Sequence, residues 1–238
     1  LMKSNSLGFS LIELSIVLII IGLLIAGIVG GASLIESAKM RSFISEIKNW
    51  KQAVNSFYVS KGRLPSDAND DGKIGAGANE GQLDHYFPAP FNGSQYWVWN
   101  TFSGPFVDLY INKITDFKPT MSRGSRNIYN IYAEKGLPES TALKNDNFWY
   151  FGYAPEIKNE TSLISGTNIS DITSNILVLN AHKKAIKCSF AKKLETKIDD
   201  NIIDTGSMRA SCGIRNYDTC DKNTTCMDLM FKLDLEDF

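Results

Sequence analysis

Alternating oxygen-bearing side chains lie just after residue 62 and suggest chemistry more strongly than any other stretch of the chain. Asp67, Asn69 and Asp71 are each separated by one residue, and Gly72 follows them. Three such side chains, turned by a glycine, can converge on one hard cation, with the Lys73 carbonyl as a further ligand. The pattern therefore offers a calcium site. A polar turn is the alternative, because Asp, Asn and Gly also favour turns for conformational reasons.

The rest of this loop departs from the EF-hand pattern. Its twelfth position is Ala78, where an EF-hand carries a bidentate glutamate. Glu80 or Asp84 would have to complete the site from a different geometry. Calcium is thus the one cofactor that the sequence suggests, and we expect no organic cofactor.

The cysteines form a second chemically distinctive set, and all 4 lie late, at Cys188, Cys212, Cys220 and Cys226. In an oxidising compartment this clustering predicts two disulfides that close the C-terminal region. Zinc is the weaker interpretation, since the CxxC pairs of common structural sites are missing. Among the three pairings that four cysteines allow, we favour Cys220 with Cys226 and Cys188 with Cys212, which gives two local loops.

No catalytic constellation is visible in the sequence. The 2 histidines, His85 and His182, lack metal-ligand spacing, and the chain has neither a G-x-S-x-G motif nor a phosphate-binding glycine loop. We therefore do not expect an enzyme. The net charge of -1 gives no bulk attraction for nucleic acid. A Lys-rich helix expected over residues 181–197 is read as a solvated face, so nucleic acid is an unlikely partner. Asp199, Asp200 and Asp204 follow it and suit either a cation or a turn.

A long apolar stretch lies near the N-terminus and is expected to anchor the chain in a membrane. Residues 14–32 carry no charge, and Leu34 and Ile35 extend the run to about the twenty residues that a helix needs to span a bilayer. Glu13 stands at its start, where a carboxylate is costly unless it is paired or stays near the headgroups. We predict a transmembrane and assembly helix over residues 9–35. Apolar spacing near three and four predicts an amphipathic continuation over residues 36–61, which Gly62 ends.

The segment before the span has an unusual order. In a secretory signal peptide the apolar part precedes a small-residue cleavage site. Here a short polar segment ends at Gly8, directly before FSLIEL at residues 9–14, so a cut after Gly8 would keep the helix on the mature protein. The sequence GFSLIEL with its apolar span resembles the N-terminus of type IV pilins and of the pseudopilins of type II secretion.

This resemblance implies a processing pathway. Prepilin peptidase would cut between Gly8 and Phe9, leaving residues 1–8 as a leader, and the new amine of Phe9 would be methylated. Glu13 would pair with the N-terminal amine of a neighbouring subunit during assembly. The implied partners are other pilin or pseudopilin subunits, the peptidase and an inner-membrane assembly platform. The implied location is the bacterial inner membrane, crossed once with a periplasmic domain, and then a pilus or pseudopilus.

Two later segments resemble a minor-pilin-like subset of the family. In LPSDAN at residues 64–69, Leu64, Pro65, Asp67 and Asn69 resemble that subset's signature L-P-(G)-D-x-x-N, with Ser66 in place of the usual glycine. KIDDNIIDTGSMRA at residues 197–210 is similar to its IDDGxxxTGxxRA, with Asn201 in place of the first glycine. Family likeness is therefore expected at both ends of the soluble domain.

The expected fold is α+β, with the long helix packed on an antiparallel sheet and a disulfide-bonded C-terminal region. Residues 62–238 would form a periplasmic globular domain of pilin type. Aromatic residues at 148–153 and the run NILVLN at 175–180 predict buried strands, with Pro155 ending the first. The aromatic residues are read as core, and an exposed ligand platform is the alternative.

The sequence favours a structural role. The chain would be a minor pilin or pseudopilin of a type IV pilus or type II secretion filament, assembled through its hydrophobic helix after leader cleavage. The competing class is a membrane-anchored or filament-tip binding module, either an adhesin or a DNA-uptake receptor.

Overall fold

The computed structural model describes residues 10–67, 70–74, 86–87, 96–97, 104–119, 137–144, 147–155, 172–181, 185–214 and 216–233. The chain divides into two compact units, Leu1–Ser42 and Phe43–Phe238. Gly8, Phe9, Asn69, Ala78, Glu80, Asp84 and both histidines lie outside the described residues.

One long helix, α1, runs from Leu11 to Lys61. Within the first unit its apolar side chains are exposed, with Leu11 at 85% and Ile28 at 71%. In the described part of the chain, α1 is the helix long and apolar enough to cross a membrane. The predicted long N-terminal helix is confirmed. It ends as expected at Gly62, which has a φ of +74° and donates its amide to the Tyr58 carbonyl over 2.8 Å.

The second unit is built around a four-stranded antiparallel sheet. Its neighbouring strands are, in order across the sheet, β3 (Asn147–Tyr153), β4 (Asn175–Ala181), β8 (Asp228–Lys232) and β6 (Met208–Ser211). The strands and helices that follow α1 are, in chain order, β1 (Tyr86–Phe87), β2 (Tyr96–Trp97), α2 (Gly104–Ile111), β3 (Asn147–Tyr153), β4 (Asn175–Ala181), β5 (Ile186–Lys187), α3 (Cys188–Ile198), β6 (Met208–Ser211), a 3₁₀ turn (Tyr217–Thr219), β7 (Thr225–Cys226) and β8 (Asp228–Lys232).

The two central predictions for the sheet are confirmed, and the helix prediction needs a correction. β3 and β4 are the aromatic and aliphatic runs expected as buried strands. The helix expected over residues 181–197 begins only at Cys188. The preceding residues, Ile186–Lys187, instead pair with Thr225–Cys226, a contact with a distant part of the chain that local spacing does not reveal.

The core of the second unit lies between the last turns of α1 and the sheet. Phe43 stacks on Trp149 with ring centroids 5.4 Å apart and meets Phe231 edge-on at 6.2 Å. Trp50 contacts Phe151 at 6.2 Å. Trp149 and Phe151 are fully buried, so the aromatic residues of β3 form core rather than an exposed platform. The α+β fold, with a helix packed on an antiparallel sheet, is therefore confirmed.

A carboxylate holds α1 on this sheet. Glu46 accepts hydrogen bonds from the Trp149 indole at 3.0 Å, the Ser140 hydroxyl at 2.9 Å and the Thr141 amide at 2.9 Å. Leaving a buried donor without an acceptor costs about 1–3 kcal/mol. Glu46 therefore fixes the position of α1 relative to β3, in addition to the apolar contacts, which set no direction.

Two residues of the subset-like segments occupy the left-handed backbone region that favours glycine. Ser66 has a φ of +63° and Asn201 a φ of +68°. These are the two positions where the resembling sequences carry glycine. The glycine preference there has a conformational cause, because a β-carbon costs roughly 1–2 kcal/mol in this region.

We expect Ser66→Gly to be more stable than Ser66→Ala by about 1 kcal/mol, because both variants lose the hydroxyl and only glycine relieves the backbone. Urea unfolding of the full chain in detergent micelles, followed by tryptophan fluorescence, measures the difference. Ser45 is the control, since it is an exposed residue within α1. There alanine should be the more stable by about 1 kcal/mol. An alanine variant as stable as the glycine variant at Ser66 would contradict the backbone argument.

Candidate functional site

Glu13 lies in the first turn of α1. Its Oε2 accepts a hydrogen bond from the Ser10 amide at 2.8 Å. This is half of a capping box, and it places a negative charge where the helix dipole favours one. Within a single chain the carboxylate thus caps its own helix. Its role in assembly stays a prediction.

Two buried carboxylates hold the backbone of the described residues 63–67 and 70–72. Asp108 of α2 is 4% exposed, and its Oδ2 accepts from the Ser66 amide at 2.7 Å and from Arg63 Nη1 at 3.2 Å. Asp67 is 2% exposed and accepts from the Asp71 amide at 3.0 Å and the Gly72 amide at 2.9 Å. Burial raises the pKa of Asp67, and these amides partly oppose that shift. Asp108 was not predicted from the sequence.

Further contacts join Asp71 to Lys73 within the loop and the loop to Asn175 of β4. Asp71 accepts from the Lys73 amide at 2.9 Å and forms an ion pair with the Lys73 ammonium at 2.9 Å. Asn175 of β4 accepts from the Ile74 amide at 2.7 Å and donates to the Gly72 carbonyl at 2.9 Å, which fastens the loop to the sheet. Asp67 and Asp71 therefore hold a polar turn. Calcium, with Asp67, Asn69, Asp71 and the Lys73 carbonyl as ligands, stays a prediction.

A cluster of acidic residues lies where α3 ends. Carboxylate oxygens of Glu195, Asp199 and Asp200 lie within 4.8 Å of one another. Glu195 is fully buried and accepts from the Tyr217 hydroxyl at 3.2 Å. Burial and the charge of Asp199 raise the pKa of Glu195 to about 8. Burial and the neighbouring Glu195 also raise the pKa of Tyr217.

The loop that follows the cluster is held by the same acids. Asp199 accepts from the Met208 amide, and Asp200 accepts from the Thr205 hydroxyl at 2.7 Å and the Ile202 amide at 2.9 Å. These bonds to Asp200 lower its pKa. The cluster thus joins Asp199 and Asp200 to Glu195 rather than to the predicted Asp204. The i, i+4 spacing of Glu195 and Asp199 on a helix was the available signal.

The cysteine pairing differs from the one we favoured. Cys188 bonds to Cys220 and Cys212 to Cys226, so both favoured bridges are wrong, whereas the prediction of two disulfides is confirmed. The reason is tertiary. The Met227 amide donates to the Ser211 carbonyl at 2.8 Å, which brings the neighbouring Cys226 beside Cys212. Short sequence separation was therefore the wrong criterion.

These features define a class of protein. A long apolar helix with a carboxylate in its first turn, joined to an α+β unit with two disulfides, has the fold of pilin-like proteins. The family described as prokaryotic N-terminal methylation motif matches residues 3–29, which include Gly8, Phe9 and Glu13. This match supports a type IV pilin or pseudopilin type of family, as the resemblance predicted, and indicates a pilin-like precursor.

The family type carries further implications. It implies processing by prepilin peptidase and assembly with other pilin-type subunits, and it favours a structural subunit over an enzyme. The motif and the apolar helix together indicate membrane anchoring. No curated protein and no solved structure shows a significant match to the chain.

For the calcium prediction, we expect calcium to raise the Tm of the full chain relative to chelator, because a ligand that binds only the folded state stabilises it. Asp67→Ala should remove this calcium-dependent rise in Tm. It should also lower the Tm in both conditions, to the extent that the turn is broken. Asp116→Ala, an exposed carboxylate outside the loop, is the control and should keep it. A wild-type Tm that is the same in calcium and in chelator would leave only the polar turn.

For Glu195, the folded-state pKa of about 8 lies above the ordinary glutamate value of 4.5, so the folded state binds the extra proton. The free energy of unfolding should therefore fall as pH rises between these values, at up to about 1.4 kcal/mol per pH unit, and level off above. Glu195→Gln should flatten this dependence and be the more stable protein at pH 8. Urea unfolding between pH 5 and pH 9, about the range that the titration spans, measures it.

Asp228→Asn provides the matched comparison for that titration. Burial raises the pKa of Asp228 to about 7, against the hydrogen bond that Asn180 donates to it. The free energy of unfolding that Asp228→Asn gains over wild type should rise with pH and level off above about pH 7. For Glu195→Gln the corresponding gain should level off only above about pH 8. Parallel pH curves for wild type and Glu195→Gln would show that Glu195 is not the titrating group.

Proposed function

We propose that the chain is a minor pilin or pseudopilin, a structural subunit of a type IV pilus or type II secretion filament. It is made as a precursor, loses residues 1–8 to prepilin peptidase and assembles through α1. The observation that carries this proposal is the methylation motif at residues 3–29, whose part from Leu11 onward belongs to the exposed apolar helix α1. Before assembly the protein crosses the bacterial inner membrane once, with its globular unit in the periplasm.

The apolar surface of α1 supports lateral packing. Exposed apolar side chains extend from Leu11 to Ile28, and Leu34 and Ile35 are exposed as well. Fully burying one Leu or Ile side chain is worth about 1.5–3 kcal/mol. Apart from the local backbone of α1 itself, no atom lies within 4 Å of the position that a β-carbon would take on Gly22, Gly27 or Gly31. Neighbouring helices can therefore approach closely there, as small residues permit in apolar surroundings.

Glu13 supplies the register that apolar packing lacks. Among apolar helices a carboxylate is strongly unfavourable alone, and a partner ammonium lowers that cost. The free amine of Phe9 in a neighbouring subunit is the proposed partner. The pair forms only when adjacent subunits are offset by one axial step, and an inner-membrane assembly platform would present the subunits to each other in that offset.

The binding-module alternative rests on the Lys-rich side of α3. Lys187, directly before α3, and Lys193 and Lys197 within it are exposed, and Lys192 forms an ion pair with Asp218 at 3.3 Å. A cationic face of this kind suits contacts with phosphates. It would serve an adhesin or DNA-uptake receptor at a filament tip, so this role is compatible with the same assembly pathway.

The deciding experiment is intact mass and N-terminal sequencing of the full-length protein from membranes with and without prepilin peptidase. We expect a chain that starts at methylated Phe9 only when the peptidase is present. Glu13→Gln should be processed normally but fail to enter filaments, because breaking a buried ion pair costs about 3–5 kcal/mol.

Glu36→Gln is the matched control, since Glu36 is the next carboxylate along α1. It should be processed and assembled like wild type. An uncut N-terminus in the presence of the peptidase would overturn the filament pathway and leave α1 as a plain membrane anchor. Normal filament entry of Glu13→Gln would remove Glu13 from assembly.

A further inference from the structure

The two disulfides lie against each other. Sulfur atoms of Cys188, Cys212 and Cys226 all lie within 4.8 Å of one another, although Cys188 is bonded to Cys220. Chain pairing explains this proximity. β5 pairs Ile186 with Cys226, so Cys188, two residues beyond Ile186, lies close to the Cys212–Cys226 bridge. A thiolate on Cys188 would therefore stand beside an intact disulfide.

Solvent reaches these sulfurs unequally. Cys188 and Cys226 are fully buried and Cys212 is 7% exposed, whereas Cys220 is half-buried. Cys220 follows the 3₁₀ turn and is flanked by the exposed residues Thr219 and Asp221. An external thiolate must reach the sulfur that it attacks. Access therefore favours attack at Cys220.

The identity of the leaving group also bears on which sulfur is attacked. Attack at Cys220 expels the sulfur of Cys188, and Cys188 is the first residue of α3, an 11-residue helix. A helix N-terminus stabilises a negative charge in its first turn. A more stable thiolate leaves faster in thiol–disulfide exchange. Access therefore selects Cys220 as the attacked sulfur, and the helix N-terminus offsets part of the cost of a thiolate on the buried Cys188.

We propose that the four cysteines form a thiol–disulfide exchange site for a small thiol or dithiol, with Cys220 as the entry point and Cys188 as the relay. The incoming thiolate forms a bond to the Cys220 sulfur, the Cys188–Cys220 bond breaks, and the electron pair passes to Cys188. The Cys188 thiolate then attacks the Cys212–Cys226 bridge, forms a new bond to one of its sulfurs and releases the other as a thiolate. This second step breaks one disulfide and forms one, so the number of disulfides, including the mixed disulfide on Cys220, does not change.

This site does not depend on filament assembly. It makes the bridging pattern of the C-terminal region exchangeable from one accessible position. The bridges cross in sequence, with separations of 32 and 14 residues, and a bridge between Cys188 and Cys212 made first along the chain would need such an exchange to correct it.

The first test uses the wild-type full chain in detergent micelles. The protein is treated with limiting reduced glutathione, quenched with N-ethylmaleimide and digested without reduction, and the adducts are mapped by mass spectrometry. We expect glutathione on Cys220 at about tenfold or more over any other cysteine, because thiol exchange follows access. Glutathione mainly on Cys188, Cys212 or Cys226 would overturn the assigned entry point.

The second test examines the relay with a matched pair of variants that lose the same bridge. In Cys220→Ser the three clustered sulfurs remain, and we expect bridges from Cys188 to Cys212 or Cys226 beside the Cys212–Cys226 bridge. In Cys188→Ser the remaining thiol, on Cys220, is outside the cluster. We therefore expect only the Cys212–Cys226 bridge. A single Cys212–Cys226 bridge in both variants, or scrambling in both, would overturn the relay.

Discussion

The apolar surface of α1 in the first unit is the main constraint on this protein, because it determines which environments the helix can occupy. Side chains such as Leu11, Ile28 and Leu34 are more than 70% exposed, and water is not a stable environment for a run of them. Lipid and neighbouring apolar helices are the two environments that accept this surface, and the surface itself does not discriminate between them. A structural subunit that moves from membrane to filament needs this property. Direction and register must then come from a polar group, and Glu13, in the first turn of the helix, is the group proposed to supply it.

In the second unit, the apolar side chains of the same helix have different surroundings. There the apolar residues of α1, among them Phe43, contact aromatic rings of the sheet instead of remaining exposed. Glu46 adds directional contacts to the Trp149 indole and to the loop before β3. The role proposed for Glu13 resembles that of Glu46, which fixes a geometry that apolar packing leaves free. Glu46 does so within the chain, and Glu13 is proposed to do so between chains.

Sequence reasoning succeeded where the determinant is local. The end of α1 at Gly62 and the strands β3 and β4 follow from backbone preference and from residue type within a few positions. It failed where distant segments meet. Glu195 is buried against Tyr217, the start of α3 is displaced by pairing with β7, and the cysteines bridge according to the sheet rather than to their spacing. For the Asp67 loop, residue types suggested an ion, and they did not reveal that backbone amides already use both oxygens of this carboxylate.

The C-terminal region shows why covalent closure is needed there. β5 and β7 have 2 residues each, so their ladder provides few hydrogen bonds. Glu195 and Asp228 are buried carboxyls whose raised pKa values, about 8 and about 7, mean that folding disfavours their charged forms. At neutral pH each therefore lowers stability by on the order of a few kcal/mol. Closing loops of this size by disulfides contributes about 3 kcal/mol each, which is comparable. The two bridges therefore offset a cost of the same order as the one that the buried acids impose. The Cys188–Cys220 bridge joins the first residue of α3, the helix that carries Glu195, to the residue after the 3₁₀ turn that carries Tyr217.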